Sequence, residues 1–340
     1  MISTGDPRYT DMKAIADILT SSDTMWIYPH MVADGDAMGS CCSLCSIMRR
    51  MGKKADIVME DEIPDNLSFL NRDNYVIYAD TDTQLEKRDL CIALDCSNVD
   101  RFPKRDHLFF GAADRTACVD HHVTKSGFAD INLVDPDASA TCELLYELYD
   151  LMGIKLTVEE AEAVYTGIVT DTGNFQYTNT TKKTHLIAAE LIDLGIDKKT
   201  INITVYQSER MEKLKLHSMI LSNMETFCDG RVAMAHVTLD MYRQAGAKTS
   251  ESDGINSTLR DIKGVEVAVF LREMNEHEIK VGFRSKNYVD VAEICAEMGG
   301  GGHKHAAGCA VKKTMEETLP VIRARVQEAM KKYDEAGENR

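Results

Sequence analysis

Short runs of apolar residues alternate with longer amphipathic segments through the N-terminal third of the chain. Each run is rich in Val, Ile, Leu, Ala and Cys and is followed closely by polar residues. This pattern is typical of strands that are buried on both faces of a parallel sheet. The chain is therefore predicted to begin with an α/β domain. The predicted strands cover residues 25–28, 55–59, 75–78, 90–94 and 116–119.

Helical spacing of apolar residues marks four further segments in the same part of the chain. The clearest start is at Thr157, because Thr157 and Glu160 form a capping box in front of an apolar run. That helix would carry Asp171 near its C-terminal end. The predicted helices cover residues 10–19, 139–152, 157–169 and 183–194.

The length of the chain predicts two domains, because 340 residues exceed the size at which a single hydrophobic core usually stops growing. We predict a parallel-sheet α/β domain over residues 1–190 and a smaller α/β domain over residues 226–340. A linker helix within 191–225 would join them, since helical spacing continues from 202 to 226. In the second domain we predict strands over 231–239, 265–272 and 278–284, and helices over 289–298 and 320–333.

Aspartates and histidines stand where several of the predicted segments end. In open α/β sheets, ligands bind outside the carboxyl ends of the strands, so these side chains are expected to converge. Asp is also an ordinary turn former, which would account for any single one of them. It does not account for four clusters that each follow an apolar segment. The candidate residues are His30, Asp34, Asp36, Asp95, Asp120, His121, His122 and Asp171.

The chemistry of these side chains indicates which metals would bind. Carboxylates and imidazoles without thiolates suit Mn²⁺, Mg²⁺ or Fe²⁺ better than a structural zinc ion. Two such ions roughly 3.5 to 4 Å apart form the clamp used for phosphoryl displacement. We therefore expect two divalent ions per chain, with Mn²⁺ favoured and Mg²⁺ as an alternative.

Four consecutive glycines precede His303 in the second half of the chain. A run of this kind is usually a flexible turn. Glycines also let backbone amides approach an anion closely, and the planar fork of Arg284 suits bidentate binding of phosphate. We predict a phosphate or nucleotide cradle here. Its residues would be Arg284, Ser285, Gly300, Gly301, Gly302 and His303.

Three cysteines lie close together at Cys41, Cys42 and Cys45. Spacing of this kind raises the question of a metal or redox site, but there is no partner cluster elsewhere in the sequence. Small cysteine side chains also pack well between a helix and a sheet. The packing interpretation is therefore favoured.

Charge and composition limit the classes of partner. With 39 basic and 55 acidic residues the net charge is −16, which argues against a protein that grips long duplex nucleic acid. Short phosphate substrates remain allowed, because bound cations invert the local charge that a ligand meets. The ten irregularly spaced cysteines, without a leading signal peptide, predict a cytoplasmic protein with reduced thiols. No apolar run approaches the roughly 18 residues needed to span a membrane.

The spacing of the candidate ligands resembles four motifs of the DHH phosphoesterase family, and the glycine run with His303 and Ala306-Ala307-Gly308 resembles the signature of the DHH-associated C-terminal domain. The five elements occur in family order and cover nearly the whole chain. Ala33 stands where many relatives have proline, which changes loop stiffness and no ligand. The four motifs are His30-x3-Asp34-x-Asp36, Asp95-Cys96-Ser97, Asp120-His121-His122 and Thr170-Asp171-Thr172-Gly173.

The resemblance implies a role for each candidate. Asp95 would bridge two metal ions, Asp120 would orient its neighbours, and His122 would face the phosphate as a hydrogen-bond donor or acid. The first ion would be held by His30, Asp34 and Asp95. The second ion would be held by Asp36, Asp95, His121 and Asp171.

The resemblance is greatest to the stand-alone branch that hydrolyses short oligoribonucleotides and removes the 3′-phosphate of 3′-phosphoadenosine 5′-phosphate (pAp). The implied partners are short RNA or nucleotide phosphates, and a homodimer is left open. A phosphodiesterase for pApA or cyclic dinucleotides would share every motif. A family II inorganic pyrophosphatase would carry a Ser-Arg-Lys-Lys-Gln-like segment, which is absent here, and a noncatalytic nucleotide sensor would be favoured if metal ligands were missing.

Overall fold

The computed structural model describes residues 4–96, 98–102, 104–122 and 127–337, so Ser97 of the second motif lies outside the described residues. The chain forms two compact units, Met1–Ser208 and Glu209–Arg340. Each unit is built around its own six-stranded sheet. The predicted α/β class is confirmed.

The sheet of the first unit has the order β3-β2-β1-β4-β5-β6, and all of its strands are parallel. The five predicted strands are present, and a sixth, β6, was not predicted from the sequence. The strands are β1 (Thr24–Tyr28), β2 (Lys54–Met59), β3 (Val76–Tyr78), β4 (Arg88–Leu94), β5 (Ala113–Asp120) and β6 (Ile131–Val134).

Helices pack on both faces of this sheet. The capping box predicted at Thr157 is present: the Thr157 hydroxyl accepts a hydrogen bond from the Glu160 N–H, and the Glu160 carboxylate accepts one from the Thr157 N–H. The helices are α1 (Tyr9–Ser21), α2 (Gly35–Arg50), α3 (Asp106–Gly111), α4 (Thr141–Leu151), α5 (Val158–Asp171), α6 (Lys182–Asp193) and α7 (Lys198–Tyr206).

Glycines allow helices α2 and α5 to approach each other closely. A Cβ atom on Gly35 would lie 2.3 Å from the Thr170 hydroxyl, and one on Gly39 would lie 2.4 Å from the Ala163 carbonyl oxygen. Both distances are shorter than any real contact, so only glycine fits. The start of α2 therefore lies against the end of α5, and each of these helix ends carries a candidate metal ligand.

The single helix predicted over residues 202–226 is wrong. Helix α7 ends at Tyr206, and a new helix, α8 (Met211–Ser222), begins after Arg210, whose backbone is extended with ψ 142°. The residues at the break are polar and individually compatible with a helix, so the periodicity did not mark it. Strand β7 (Glu225–Phe227) then occupies the end of the predicted helix.

The second unit contains a mixed sheet with the order β11-β12-β10-β9-β8-β7, in which only β8 and β9 are parallel neighbours. Its other strands are β8 (Val232–Val237), β9 (Val267–Asn275), β10 (Glu278–Ser285), β11 (Gly301–His303) and β12 (Ala306–Val311). Its other helices are α9 (Leu239–Ala245), α10 (Ile255–Asp261), α11 (Val291–Ala296) and α12 (Met315–Ala336).

The cysteine residues are all free thiols. Cys41, Cys42 and Cys45 are buried in the hydrophobic core of the first unit, as the packing interpretation predicted. Among the helices of the described ranges, none combines the length and apolar character that crossing a membrane requires.

The close approach of α2 and α5 predicts that Gly39→Ala destabilises the first unit by about 1–3 kcal/mol, because the new methyl group meets backbone. The loss should appear even though Ala favours a helix over Gly by about 1 kcal/mol. The chain has one tryptophan, Trp26, which is buried in β1, so tryptophan fluorescence during urea unfolding reports on this unit.

Gly111→Ala is the matched control, because a Cβ at this helical glycine meets no described atom within 4 Å. Its unfolding midpoint should stay unchanged or rise slightly. A midpoint for Gly39→Ala equal to that of the control would contradict the packing argument.

Candidate metal centre

The candidate ligands converge at the point where the strand order of the first sheet reverses. Strand β1 is hydrogen-bonded to β2 on one side and to β4 on the other. His30 follows β1, and Asp95 directly follows β4. In open parallel sheets this switch point, at the carboxyl ends of the strands, is where ligands bind.

The first group of ligand atoms surrounds His30. Its Nε2 atom lies 3.7 Å from Asp34 Oδ2 and 3.5 Å from Asp95 Oδ2. Its Nδ1 atom is 2.8 Å from the Met31 carbonyl oxygen. Because a carbonyl can only accept, Nδ1 carries the proton in the neutral ring and Nε2 keeps its lone pair toward the carboxylates, which is the arrangement of a metal-ligating histidine.

The second group surrounds His121 in the same way. Its Nε2 atom lies 3.9 Å from Asp36 Oδ2, 3.5 Å from Asp95 Oδ1 and 3.3 Å from Asp171 Oδ2. Its Nδ1 atom is 3.3 Å from the Ala138 carbonyl oxygen, which again leaves Nε2 free. Three sets of ligand atoms lie close enough together to hold a metal ion, and they come from His30, Asp34 and Asp95, from Asp36, His121 and Asp171, and from Asp95, His121 and His122.

Asp95 belongs to both groups because its two carboxylate oxygens point in different directions. Oδ2 faces His30, and Oδ1 faces His121. Its backbone lies in the left-handed region with φ +57°, where aspartate is tolerated better than most residues. The Thr141 hydroxyl donates to Oδ1 over 3.0 Å. This side chain is therefore held in one orientation between the two groups.

Asp36 is fully buried and is held by the start of helix α4. Its carboxylate accepts hydrogen bonds from the backbone N–H groups of Thr141 (2.6 Å) and Cys142 (2.9 Å). The unpaired amides at a helix N-terminus favour negative charge. Thr141 was not identified from the sequence. The small residues before it, at the start of a predicted helix, could have indicated a helix N-terminus that binds an anion.

The crowded carboxylates change the proton affinity of the groups around them. Burial raises the pKa of Asp36 well above its usual range, and the neighbouring Asp95 and Asp171 add to this. Burial also raises the pKa of Asp171 to about 6. Burial opposes a charge on His30, yet hydrogen bonds to Asp34 and Asp95 raise its pKa to about 10. The pocket thus has an excess of negative charge, which fits divalent cations.

His122 stands beside these groups with one nitrogen engaged. Its Nδ1 atom is 2.7 Å from Oδ1 of the buried Asp120. This hydrogen bond raises the pKa of His122 above its usual value and outweighs the opposing effect of burial. The other carboxylate oxygen of Asp120, Oδ2, is buried without a hydrogen-bond partner among the described residues. Asp120 thus orients His122 and favours its protonated form.

Three of the predicted cradle residues, Arg284, Gly300 and Gly301, line a groove of about 570 Å³ on one face of the sheet of the second unit. The other three, Ser285, Gly302 and His303, are not among its lining residues. On this face, apolar side chains of α8, α9 and α10 cover strands β8 and β9. The groove lies next to these helices, mainly over β10, β11 and β12. Gly282, Gly308 and Gly301 are register partners on three adjacent strands, so the floor of the groove is shallow. The cationic side chains that line it are Arg272, Lys280 and Arg284.

Arg284 is half-buried, and its guanidinium donates to the Phe283 carbonyl oxygen over 2.9 Å. Burial and the nearby Arg260 and Arg272 lower its pKa. Within the described residues no carboxylate lies within 4.0 Å of it, so its charge is uncompensated by an ion pair. Sequence reasoning found Arg284 but missed Arg272 and Lys280, which face the same groove only because of the strand register.

The glycine run is partly a strand and not a turn. Gly301, Gly302 and His303 form β11 at the edge of the sheet, so one side of its backbone has no neighbouring strand there. A Cβ on Gly300 would lie 2.3 Å from the Gly308 carbonyl oxygen, so Gly300 is needed for close packing. His303 is exposed.

Ser285 does not lie where a phosphate contact requires it. Only 4% of its surface is exposed, and its hydroxyl donates to the Val289 carbonyl oxygen over 2.7 Å. The same hydroxyl lies 2.9 Å from Nδ1 of His305. We therefore correct its expected role: Ser285 holds the adjoining loop and does not contact a ligand directly.

Comparisons with known proteins agree with this architecture. Residues 24–168 match the model of the DHH family, N-terminal domain, and residues 229–332 match that of the DHHA1 domain. A Thermus thermophilus protein named bifunctional oligoribonuclease and PAP phosphatase NrnA is 32% identical over 331 residues, which are 95% of this chain and 97% of the relative. A Bacillus subtilis protein of the same name is 31% identical over 292 residues, covering 85% and 90% of the two chains.

A solved structure is similar over the whole chain. The crystal structure of an exopolyphosphatase-related protein from Bacteroides fragilis matches with a TM-score of 0.87 and 27% identity, covering 98% of both chains. Because the two family models and the Thermus thermophilus relative together span most of the sequence, the chain belongs to the DHH phosphoesterase family, with a DHHA1 domain after its DHH domain, and is a hydrolase that acts on phosphoester bonds.

Proposed function

We propose that this hydrolase is a Mn²⁺-dependent enzyme that degrades short oligoribonucleotides to mononucleotides and removes the 3′-phosphate of pAp. The observation that carries the proposal is the pair of ligand groups that share Asp95. The names of the two NrnA relatives supply the substrates. The reduced cysteines further support our proposal that the enzyme works in the cytoplasm.

The residues present fit two divalent ions. His30, Asp34 and Asp95 would hold one, and Asp36, Asp95, His121 and Asp171 would hold the other. When bound, such a pair supplies an activated water and stabilises charge on the phosphoryl oxygens. Carboxylates and imidazoles without thiolates favour Mn²⁺ or Mg²⁺ over zinc.

His122 would donate a hydrogen bond or a proton to the leaving group. The hydrogen bond from Nδ1 to Asp120 leaves Nε2 of His122 as the free nitrogen, on a side chain that is 40% exposed. Its raised pKa keeps the ring protonated to higher pH, so Nε2–H can donate to a phosphoryl or leaving oxygen.

The groove of the second unit would hold one nucleotide of the substrate. Its small-residue floor accepts a flat group, and its cationic side chains and the edge of β11 offer hydrogen bonds to phosphate. With a net charge of −16 the chain has little long-range attraction for a polyanion, so affinity would come from these local contacts.

A hydrolysis panel at fixed Mn²⁺ tests the proposal. It compares pAp, pApA, cyclic dinucleotides, two- to five-residue RNA and pyrophosphate. We expect the short RNAs and pAp to be the best substrates. Exclusive turnover of a cyclic dinucleotide or of pyrophosphate would contradict the proposal.

Asp95→Asn should lower kcat/KM by about 100-fold or more, because removing a charged group that serves both ions weakens transition-state stabilisation. Mn²⁺ binding is measured in parallel by equilibrium dialysis. Asp114→Asn is the control, since Asp114 is exposed near the opposite end of β5. Near-normal turnover of Asp95→Asn with bound Mn²⁺ would exclude the shared-ligand assignment.

Arg284→Ala and His303→Ala should raise KM while leaving Mn²⁺ binding unchanged, because both residues lie in the other unit from the ligand groups. Arg325→Ala is the matched control: Arg325 lies on α12, which packs on the opposite face of the same sheet. Loss of a metal ion from His303→Ala would refute the division of roles.

Substrate length should have a clear optimum. We expect kcat/KM to be highest for oligonucleotides of about two to five residues, because few local contacts and no extended basic track provide affinity. The measurement uses a labelled series from a dinucleotide to a 24-mer at fixed salt. A steady rise of efficiency with length, or cleavage of a circular RNA, would be incompatible with this expectation.

A further inference from the structure

An exposed aromatic ring lies over the turn that follows the candidate metal ligand Asp171. Tyr177 is 62% exposed, an unusual degree of exposure for a large aromatic side chain. Its ring lies directly on Gly173, where a Cβ atom would come within 2.4 Å of the ring carbon Cζ. Gly173 follows Asp171 by two residues, so the ring lies over the turn that directly follows this candidate ligand.

A left-handed turn places Tyr177 in this position. Gly173, Asn174 and Phe175 have φ angles of +55°, +57° and +66°, three consecutive residues in the left-handed region. This conformation costs roughly 1–2 kcal/mol for each residue other than glycine and normally occurs as single residues. Strained backbone of this kind persists where the surroundings impose it, and it occurs often at functional sites.

The turn is held from several sides. Phe175 points into the unit and stacks on His185, with ring centroids 5.1 Å apart and an interplanar angle of 24°. The Thr172 hydroxyl accepts a hydrogen bond from the Phe175 N–H over 3.1 Å. The Asn179 side-chain amide donates to the carbonyl oxygens of Asp171 (3.1 Å) and Ser139 (3.0 Å).

These contacts connect the turn to the backbone of Asp171. The Tyr177 N–H also donates to the Thr172 carbonyl oxygen over 3.0 Å. The backbone of Tyr177 is therefore held relative to Asp171, and its largely exposed ring rests on Gly173.

We propose that Tyr177 is a stacking platform for the nucleobase next to the scissile phosphate. It is thus a residue that makes the enzyme specific for nucleotide substrates over phosphoesters without a base. An exposed aromatic ring can stack on any base, because every base has a π-face. The inference rests on the proposed nucleotide substrates and adds a base contact within the first unit.

The test uses three variants. Tyr177→Leu keeps an apolar side chain and removes the ring, while Tyr177→Phe keeps the ring and removes the hydroxyl. Tyr78→Leu is the matched control, because Tyr78 is also exposed, at 55%, but lies on β3 at the far edge of the sheet. The substrates are pApA and two analogues in which either the first or the second residue is abasic.

Tyr177→Leu should lower kcat/KM for pApA by roughly 5- to 150-fold, the range that loss of one base–aromatic stack gives. Tyr177→Phe and Tyr78→Leu should keep the wild-type value. On one of the two abasic analogues, wild type and Tyr177→Leu should become equal, which identifies the base that stacks. Mn²⁺ binding, followed by electron paramagnetic resonance, should be the same in all variants.

Equal effects of Tyr177→Leu on pApA and on both analogues, or loss of Mn²⁺ from this variant, would overturn the proposal, since Tyr177 would then only support the turn. No effect on any substrate would overturn it as well. Failure of the wild-type enzyme to hydrolyse short oligonucleotides would instead reject the proposed function, so the two failures are distinguishable.

Discussion

Mutual repulsion of buried carboxylates is the constraint on which the rest of the first unit depends. Asp36, Asp95 and Asp171 approach the same imidazole, and burial strengthens their repulsion because the surroundings screen charge poorly. The protein offsets part of this with backbone amides at the start of α4 and with the Thr141 hydroxyl. The remaining negative charge is what makes the site suitable for divalent cations.

The close packing of two helices brings these carboxylates together. Asp36 is on the first turn of α2, and Asp171 is the last residue of α5. The glycines of both helices allow their backbones to touch, and a Cβ on Gly167 would lie 2.7 Å from the Asp36 carboxylate. The glycines at the contact between α2 and α5 therefore determine how closely the carboxylates of the candidate metal centre approach each other.

The candidate sites of the two units carry side chains of opposite charge. The first unit concentrates carboxylates and imidazoles at a switch point, where they suit cations. The second leaves part of one sheet face uncovered, with a floor of small residues and a rim of cationic side chains whose shape and charge suit phosphate and a flat base. Each arrangement follows from residue types placed by strand register, and the local cationic side chains are compatible with our proposal that a protein of net charge −16 binds an anion in this groove.

The sequence by itself determined five of the six strands of the first sheet, the capping box at Thr157 and the candidate ligands at the segment ends, because periodicity and end signals depend on local environment. Only the tertiary structure decided which ligands share a group, that Thr141 holds Asp36 and Asp95, and that Ser285 is buried. It also decided the break at Arg210 and the strand at Gly301–His303. These features depend on contacts between residues distant in the chain, which a local pattern of polar and apolar positions does not contain.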